Sequence, residues 1–370
     1  MPGKSPSSGG VAVKGVRRSA LRMASTLAAG ACGALLAKLV GVPLPFLLGP
    51  LVFGAAATLA GAPVLTVPYG RQIGQVVVGV SIGLRFIPSV AVATLTLIPV
   101  MVAVTVLVIV ATSIAALLLM RLGGVDRETA FFATAAAGLA EMAVVAQNKG
   151  ANPDIVAVVH LIRVTSIVTS VPILLAIFGH PGDVPPVAVP LAAELLPLAG
   201  LLVVSGIAAY LVAPFGMPNT WLLIPTLIGA LVALSGFGPF AVPKLLLNLA
   251  QIVIGTWIGC RFRREIVARL PRVSLAAVAT TAFLLASAAL IASLVCWMTG
   301  LPFSTAFLSI SPAGVTEMVL TATAMHLDAA TVTGFQIMRI AVVMTTIPLV
   351  FRLFAYLSAP DADRIDAPRP

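Results

Sequence analysis

Long runs of this sequence carry no charged residue, among them Phe86 to Met120, Leu195 to Pro243 and Val273 to Thr316. Each meets or exceeds the roughly 20 apolar residues that a helix needs to cross a bilayer, so the longer runs must hold two spans each. Composition agrees, because only 9% of residues are charged where soluble domains carry roughly a quarter. The chain is therefore read as an all-α integral membrane protein. Its net charge of +10 sits in short loops and at the N-terminus, where an inside bias of Lys and Arg explains it better than a nucleic-acid partner. Arg17, Arg18 and Arg22 precede the first apolar segment as an inside anchor rather than an export signal, since many spans follow. Cys32, Cys260 and Cys296 are scattered and indicate neither a disulfide framework nor a metal site.

The rarest residues recur in register. GLAEM, with Gly138, Glu141 and Met142, is answered by PAGVTEM, with Gly314, Glu317 and Met318. Each glutamate is followed 22 residues later by an arginine in another apolar stretch, Arg163 and Arg339, and both pairs share one displacement, 176 residues (317 − 141 and 339 − 163). GVPLPFLLGPLVFGA from Gly41 matches GMPNTWLLIPTLIGA from Gly216, with Pro50 and Pro225 placed to kink both segments alike. QVVVGVSIGLRF from Gln75 matches QIVIGTWIGCRF from Gln251. There Gly79 and Gly83, like Gly255 and Gly259, stand four apart on one helical face, where small residues let membrane helices approach closely. Arg85 and Arg261 end these segments and are read as interface anchors. The expected organisation is two homologous membrane repeats of about 175 residues, 19–180 and 190–357, after a disordered basic N-terminus, 1–18, and before a polar tail, 358–370.

Loop charge bears on topology. The stretch 261–272, RFRREIVARLPR, is arginine-rich and belongs on the cytoplasmic side. Full crossings near 20–40, 44–61, 68–86, 90–120, 129–148 and 154–178 would make the halves parallel and place that loop outside. If the glutamate-bearing segments 129–148 and 304–326 break or re-enter instead, the halves are inverted, and both termini and the basic loop lie inside. Inverted repeats with broken helices are the architecture of many secondary transporters.

A carboxylate or guanidinium at the centre of a membrane helix costs about 2.5–3.5 kcal/mol on insertion scales, so such residues face a cavity, a partner or a permeant. Two readings stay open. In one, Glu141 and Glu317 pair with Arg163 and Arg339 and hold the repeats together. In the other, a glutamate is protonated or binds a cation during turnover while an arginine contacts an anionic group. Gly138, Gly314 and Pro312 supply the backbone freedom to interrupt a helix beside each acid. Gln75 and Gln251 are buried amides that need partners, and His160, one turn before Arg163, is either a packing residue or a proton relay. Ser309, Ser311, Thr316, Thr321 and Thr323 surround Glu317, whereas Glu141 has mainly Thr134, so an asymmetric site is expected.

The doubled PLPFLLGP and PNTWLLIP segments, the paired acids and the arginines after them resemble the bacterial membrane AbrB family, whose members also carry an ammonia monooxygenase label. The resemblance spans about residues 20–355. It implies a multi-pass inner-membrane protein tied to regulation of gene expression. The residues argue against the monooxygenase label: such chemistry needs clustered His and carboxylate ligands, and His160, His180 and His326 stand apart. No cofactor and no enzymatic activity are expected. A secondary transporter of a small solute coupled to an ion is the first functional reading; a membrane-embedded regulator without transport is the second. Expected partners are the lipid bilayer and a small solute or ion, with a homo-oligomer also open.

Overall fold

The structure, a computed structural model, describes residues 8–138, 142, 146–147, 149–179, 195–236, 241–262 and 270–358, with side chains from Arg18 onward. Among the described residues the apolar runs fold mainly into helix, with no strand. Six helices are long and apolar enough to cross a bilayer: α1 (Ser8–Leu39, apolar from Arg18), α5 (Ile98–Gly123), α7 (Pro153–Phe178), α8 (Leu195–Val212, extended by a 3-10 turn to Phe215), α11 (Pro271–Thr299) and α14 (Ala329–Leu357). The chain is accordingly a multi-pass membrane protein. Between the spans lie shorter helices: α2 (Pro45–Leu59), α3 (Gly70–Gly83), α4 (Pro88–Thr96), α6 (Arg127–Thr134), α9 (Thr220–Leu234), α10 (Lys244–Gly259), α12 (Phe303–Ile310) and α13 (Val315–Ala324).

Several boundaries depart from the sequence expectations. α1 begins at Ser8, inside the stretch expected to be disordered, because no proline after Pro6 interrupts the helix running back from the apolar segment. The segments near 68–86 and 90–120 are not two plain crossings. α3 and α4 meet at 95°, and α4 ends before α5 begins. Pro88 explains the first break, since Ile87 before it is driven into extended backbone (ψ 160°), and Pro99 in the first turn of α5 contributes to the second by donating no backbone hydrogen bond. Glu141, His180 and most of the arginine-rich loop, 263–269, lie outside the described residues.

Left-handed backbone recurs in a regular way. Leu44 (φ 48°) precedes α2 as Asn219 (φ 52°) precedes α9, and both short helices contain a proline, Pro50 or Pro225. Gly41 and Gly216, Gly61 and Gly236, Gly124 and Gly300, and Gly150 and His326 likewise take positive φ at matched positions. For leucine this conformation is strained, so the surrounding chain must impose it.

The helices form two compact units, one from residues 1–74 with 244–264 and the other from 75–243 with 265–370. In the first, α2 packs on α1 and α10. A Cβ on Gly255 would strike the Leu47 carbonyl, and one on Gly259 the Leu51 carbonyl. Arg71 and Arg261 both stack on the Trp257 ring, at 4.4 and 4.5 Å from its centroid, so Arg261 is held by an aromatic face. In the second unit, α5 packs on α11 and α14, and the glycines of α3 meet α9: a Cβ on Gly79 or Gly83 would strike the carbonyl of Leu222 or Thr226. Backbone-to-backbone approach of this kind leaves no room for a side chain.

We predict that Gly83→Val and Gly259→Val each destabilise the protein by about 1–3 kcal/mol through overpacking. Gly206→Val, at a glycine with nothing near its missing side chain, should have little effect. Thermal unfolding in detergent checks this ordering.

Candidate functional site

The expected interruption of the glutamate-bearing segments is present in the second unit. α6 and α12, eight residues each, stop at Ala135 and Ser311, where the backbone turns extended (ψ 136° and 125°). Helical bonding resumes after a few residues: the Met142 amide donates to the Gly138 carbonyl, and the Met318 amide to the Gly314 carbonyl. Pro312 explains the second break locally. Ala135, Ala136 and Ala137 do not explain the first, because alanine is the best helix former.

A broken helix exposes carbonyls that have no intrahelical partner, and lipid offers none. The following spans supply donors. Arg163 of α7 is 3% exposed and its Nη1 donates to the carbonyls of Thr134, at 2.7 Å, and Ala135, at 3.0 Å. Arg339 of α14 is 5% exposed; Nη1 donates to the Ser311 carbonyl at 2.9 Å and Nη2 to the Ala313 carbonyl at 3.1 Å. Gln336, one turn before Arg339, adds bonds from Nε2 to the carbonyls of Leu308, Ser309 and Ser311. Each arginine therefore closes a break.

Glu317 is buried at the first turn of α13. Its carboxylate folds back over Gly314, the residue that opens the helix, where a Cβ would collide with it. A carboxylate there complements the positive end of the helix dipole. Gln75 of α3 is buried and donates from Nε2 to the Thr316 hydroxyl at 3.1 Å, beside Glu317. Gln251 is buried in the other unit. The Gly138 carbonyl accepts from the Met142 amide. His160 is 1% exposed; its Nδ1 lies 3.1 Å from the Val156 carbonyl on its own helix.

Arg163 and Arg339 both belong to the second unit, each beside its own break. Around them Nε of both arginines, Nε2 of His160 and Oε1 of Gln336 are buried without a hydrogen-bond partner, unusual for interior polar atoms. A cavity of about 20 Å³, room for one water, touches Ala135 and Ala136 and is lined by Thr112, Ser113 and Thr346.

Of the hydroxyls expected around Glu317, Ser309, Ser311 and Thr321 donate to the carbonyls of Thr305, Phe307 and Glu317 one turn back on their own helices, while Thr316 accepts from Gln75 of α3. Gln336 was not singled out as a site residue, although its spacing of three from Arg339 puts both on one helical face. Asn152 and Asp328, whose side chains cap α7 and α14, and Pro172 and Pro348 inside those spans, are further positions matched at a displacement of 176 (328 − 152 and 348 − 172). Among the described residues no three of His, Cys, Asp and Glu converge as metal ligands would.

Comparison with known proteins adds to this geometry. Residues 66–355 match the family model described as transition state regulatory protein AbrB. The chain is 26% identical to the uncharacterized protein YhjN of Bacillus subtilis (strain 168), over 91% of this chain and 94% of that protein. It is also 26% identical to a protein of Escherichia coli (strain K12) named as a regulator, AbrB, over 85% of this chain and 91% of the relative. No solved structure matches.

Replacing Arg339 by Ala orphans the Ala313 carbonyl, at a cost of about 1–3 kcal/mol, and leaves the Ser311 carbonyl to Gln336. Arg339→Lys should recover only part of this, since one ammonium lacks the two-nitrogen fork. Denaturant or thermal unfolding of both variants measures the ordering.

Proposed function

This chain belongs to the AbrB family of membrane proteins, and we propose that it works as a secondary transporter, moving a small solute that carries an anionic group, coupled to an ion. One observation carries the reading: two helices break in the protein's interior, and each break is held by a buried guanidinium. Such breaks are where transporters expose backbone and helix ends to a permeant. An anionic group between Arg163 and Arg339 would be drawn to both, and the unpartnered Nε, Nε2 and Oε1 atoms around them have hydrogen-bonding capacity to offer. Glu317, at the mouth of α13, is the group we assign to the coupling proton or cation.

We further propose that the chain is a duplicated and inverted pair of halves. Support comes from the matched left-handed residues and from reciprocal contacts, since Gly255 and Gly259 of α10 meet α2 as Gly79 and Gly83 of α3 meet α9. Reciprocity of this sort is what a two-fold relation produces. If α2 and the bent α3–α4 pair each cross once and the broken segment turns back, every half crosses five times, and an odd number inverts the second half. The arginine-rich stretch after α10 and both termini would then face the cytoplasm of a bacterial inner membrane, as the loop charge requires. We read the protein as no enzyme and as having no direct contact with nucleic acid.

The regulator name of the Escherichia coli relative favours a second reading, in which the membrane domain influences gene expression without transport. Reconstitution separates the two. Proteoliposomes given labelled small organic anions, with and without a pH or sodium gradient, should accumulate a substrate through the intact protein. Glu317→Gln should abolish gradient-driven uptake while leaving unfolding unchanged. Gly314→Ala should do nearly the same, because its methyl group displaces the Glu317 carboxylate. Uptake that is indifferent to both substitutions would remove Glu317 from the mechanism, and no uptake of any anion would favour the regulator.

A further inference from the structure

α5 and α14 enclose a furrow of about 490 Å³ that opens sideways from the second unit, walled by Val110, Ile114 and Leu117 on one side and Leu349, Leu353 and Leu357 on the other. Leu349 and Leu353 are each more than half exposed. A furrow of that composition takes a hydrocarbon chain. Its one polar end decides which molecule. Arg121 lies four residues beyond Leu117, hence on the same face of α5 one turn further on, and is exposed. Arg127 reaches the same end from α6: its Nη1 donates at 3.2 Å to the carbonyl of Ala355, between the furrow-lining Phe354 and Leu357, while its Nε is buried with no partner. The nearby acid Asp126 already caps the Thr129 amide, and Glu128 is half-buried beside it.

We propose that this furrow is a binding site for an anionic phospholipid, with one acyl chain along α5 and α14 and its phosphate at Arg121 and Arg127. Basic pockets between membrane helices select anionic headgroups in this way. A second copy of the chain is the weaker occupant, because a two-fold contact through this face would set the same arginines against each other. The site is independent of the transport reading. It does share Ile109, Ser113, Thr346 and Val350 with the small cavity beside the α6 break, so a bound chain would press on the wall of that cavity.

Native mass spectrometry of the full chain in detergent tests the assignment, using phosphatidylglycerol and phosphatidylcholine with identical acyl chains. Phosphatidylglycerol should bind at least about fivefold more tightly, and Arg121→Gln, at an exposed position that spares the fold, should remove about fivefold of its affinity and leave phosphatidylcholine unchanged. Ile114→Trp, another exposed position, should weaken both lipids by filling the furrow. Equal affinity for the two lipids, or phosphatidylglycerol binding indifferent to Arg121→Gln, overturns the proposal. So does efficient disulfide formation between two copies of Leu353→Cys in the native membrane, which would assign the face to a dimer.

Discussion

A backbone carbonyl inside a membrane has to be bonded by the protein, and the two broken helices of this chain meet that requirement with arginine. Ending α6 at Ala135 and α12 at Ser311 leaves carbonyls that neither helix can satisfy. Burying Arg163 and Arg339 leaves charges that lipid cannot solvate. Each defect answers the other: the guanidinium replaces its water with carbonyl oxygens, and the break gains donors it could not obtain from an apolar side chain. Once both are present, neither can be removed alone without exposing the other's cost.

That exchange shapes the surrounding helices. An arginine reaching a break must stand on a span packed alongside it, which is where α7 and α14 run, each started by its own side-chain cap at Asn152 or Asp328. Gln336 shares the Ser311 carbonyl with Arg339, so the second break is held by two side chains of one helical face. Carbonyl oxygens hold Arg163 and Arg339 each at its own break. A polar layer of this kind, with bonding capacity left over at Nε and Oε1, is the part of an otherwise apolar molecule where a polar solute can be received.

Much of this was legible before any coordinates. Charge-free runs announce spans, glycines four apart announce close backbone contact, and the doubling of Glu and Arg at one displacement marks where polarity enters the interior. Pro312 announces a break, since proline removes a donor. Ala135 to Ala137 announce the opposite: three strong helix formers are held out of helix, and only the register with Ser311 to Gly314 hints at it, because the cause is a side chain 28 residues away. Nor does the sequence display where the hydroxyls near Glu317 are directed: a serine or threonine in a membrane helix can bond the carbonyl one turn back, as Ser309, Ser311 and Thr321 do.

The claim that buried guanidiniums hold the breaks is tested most directly by solid-state NMR in lipid bilayers, with arginine nitrogens labelled and the Ala313 carbonyl carbon labelled in the same molecule. The account predicts a strong dipolar coupling between them, lost when Arg339 is replaced and retained when Arg163 is replaced, since Arg339 donates to that oxygen at 3.1 Å. Absence of coupling, together with helical chemical shifts running unbroken through residues 311–314, would contradict it.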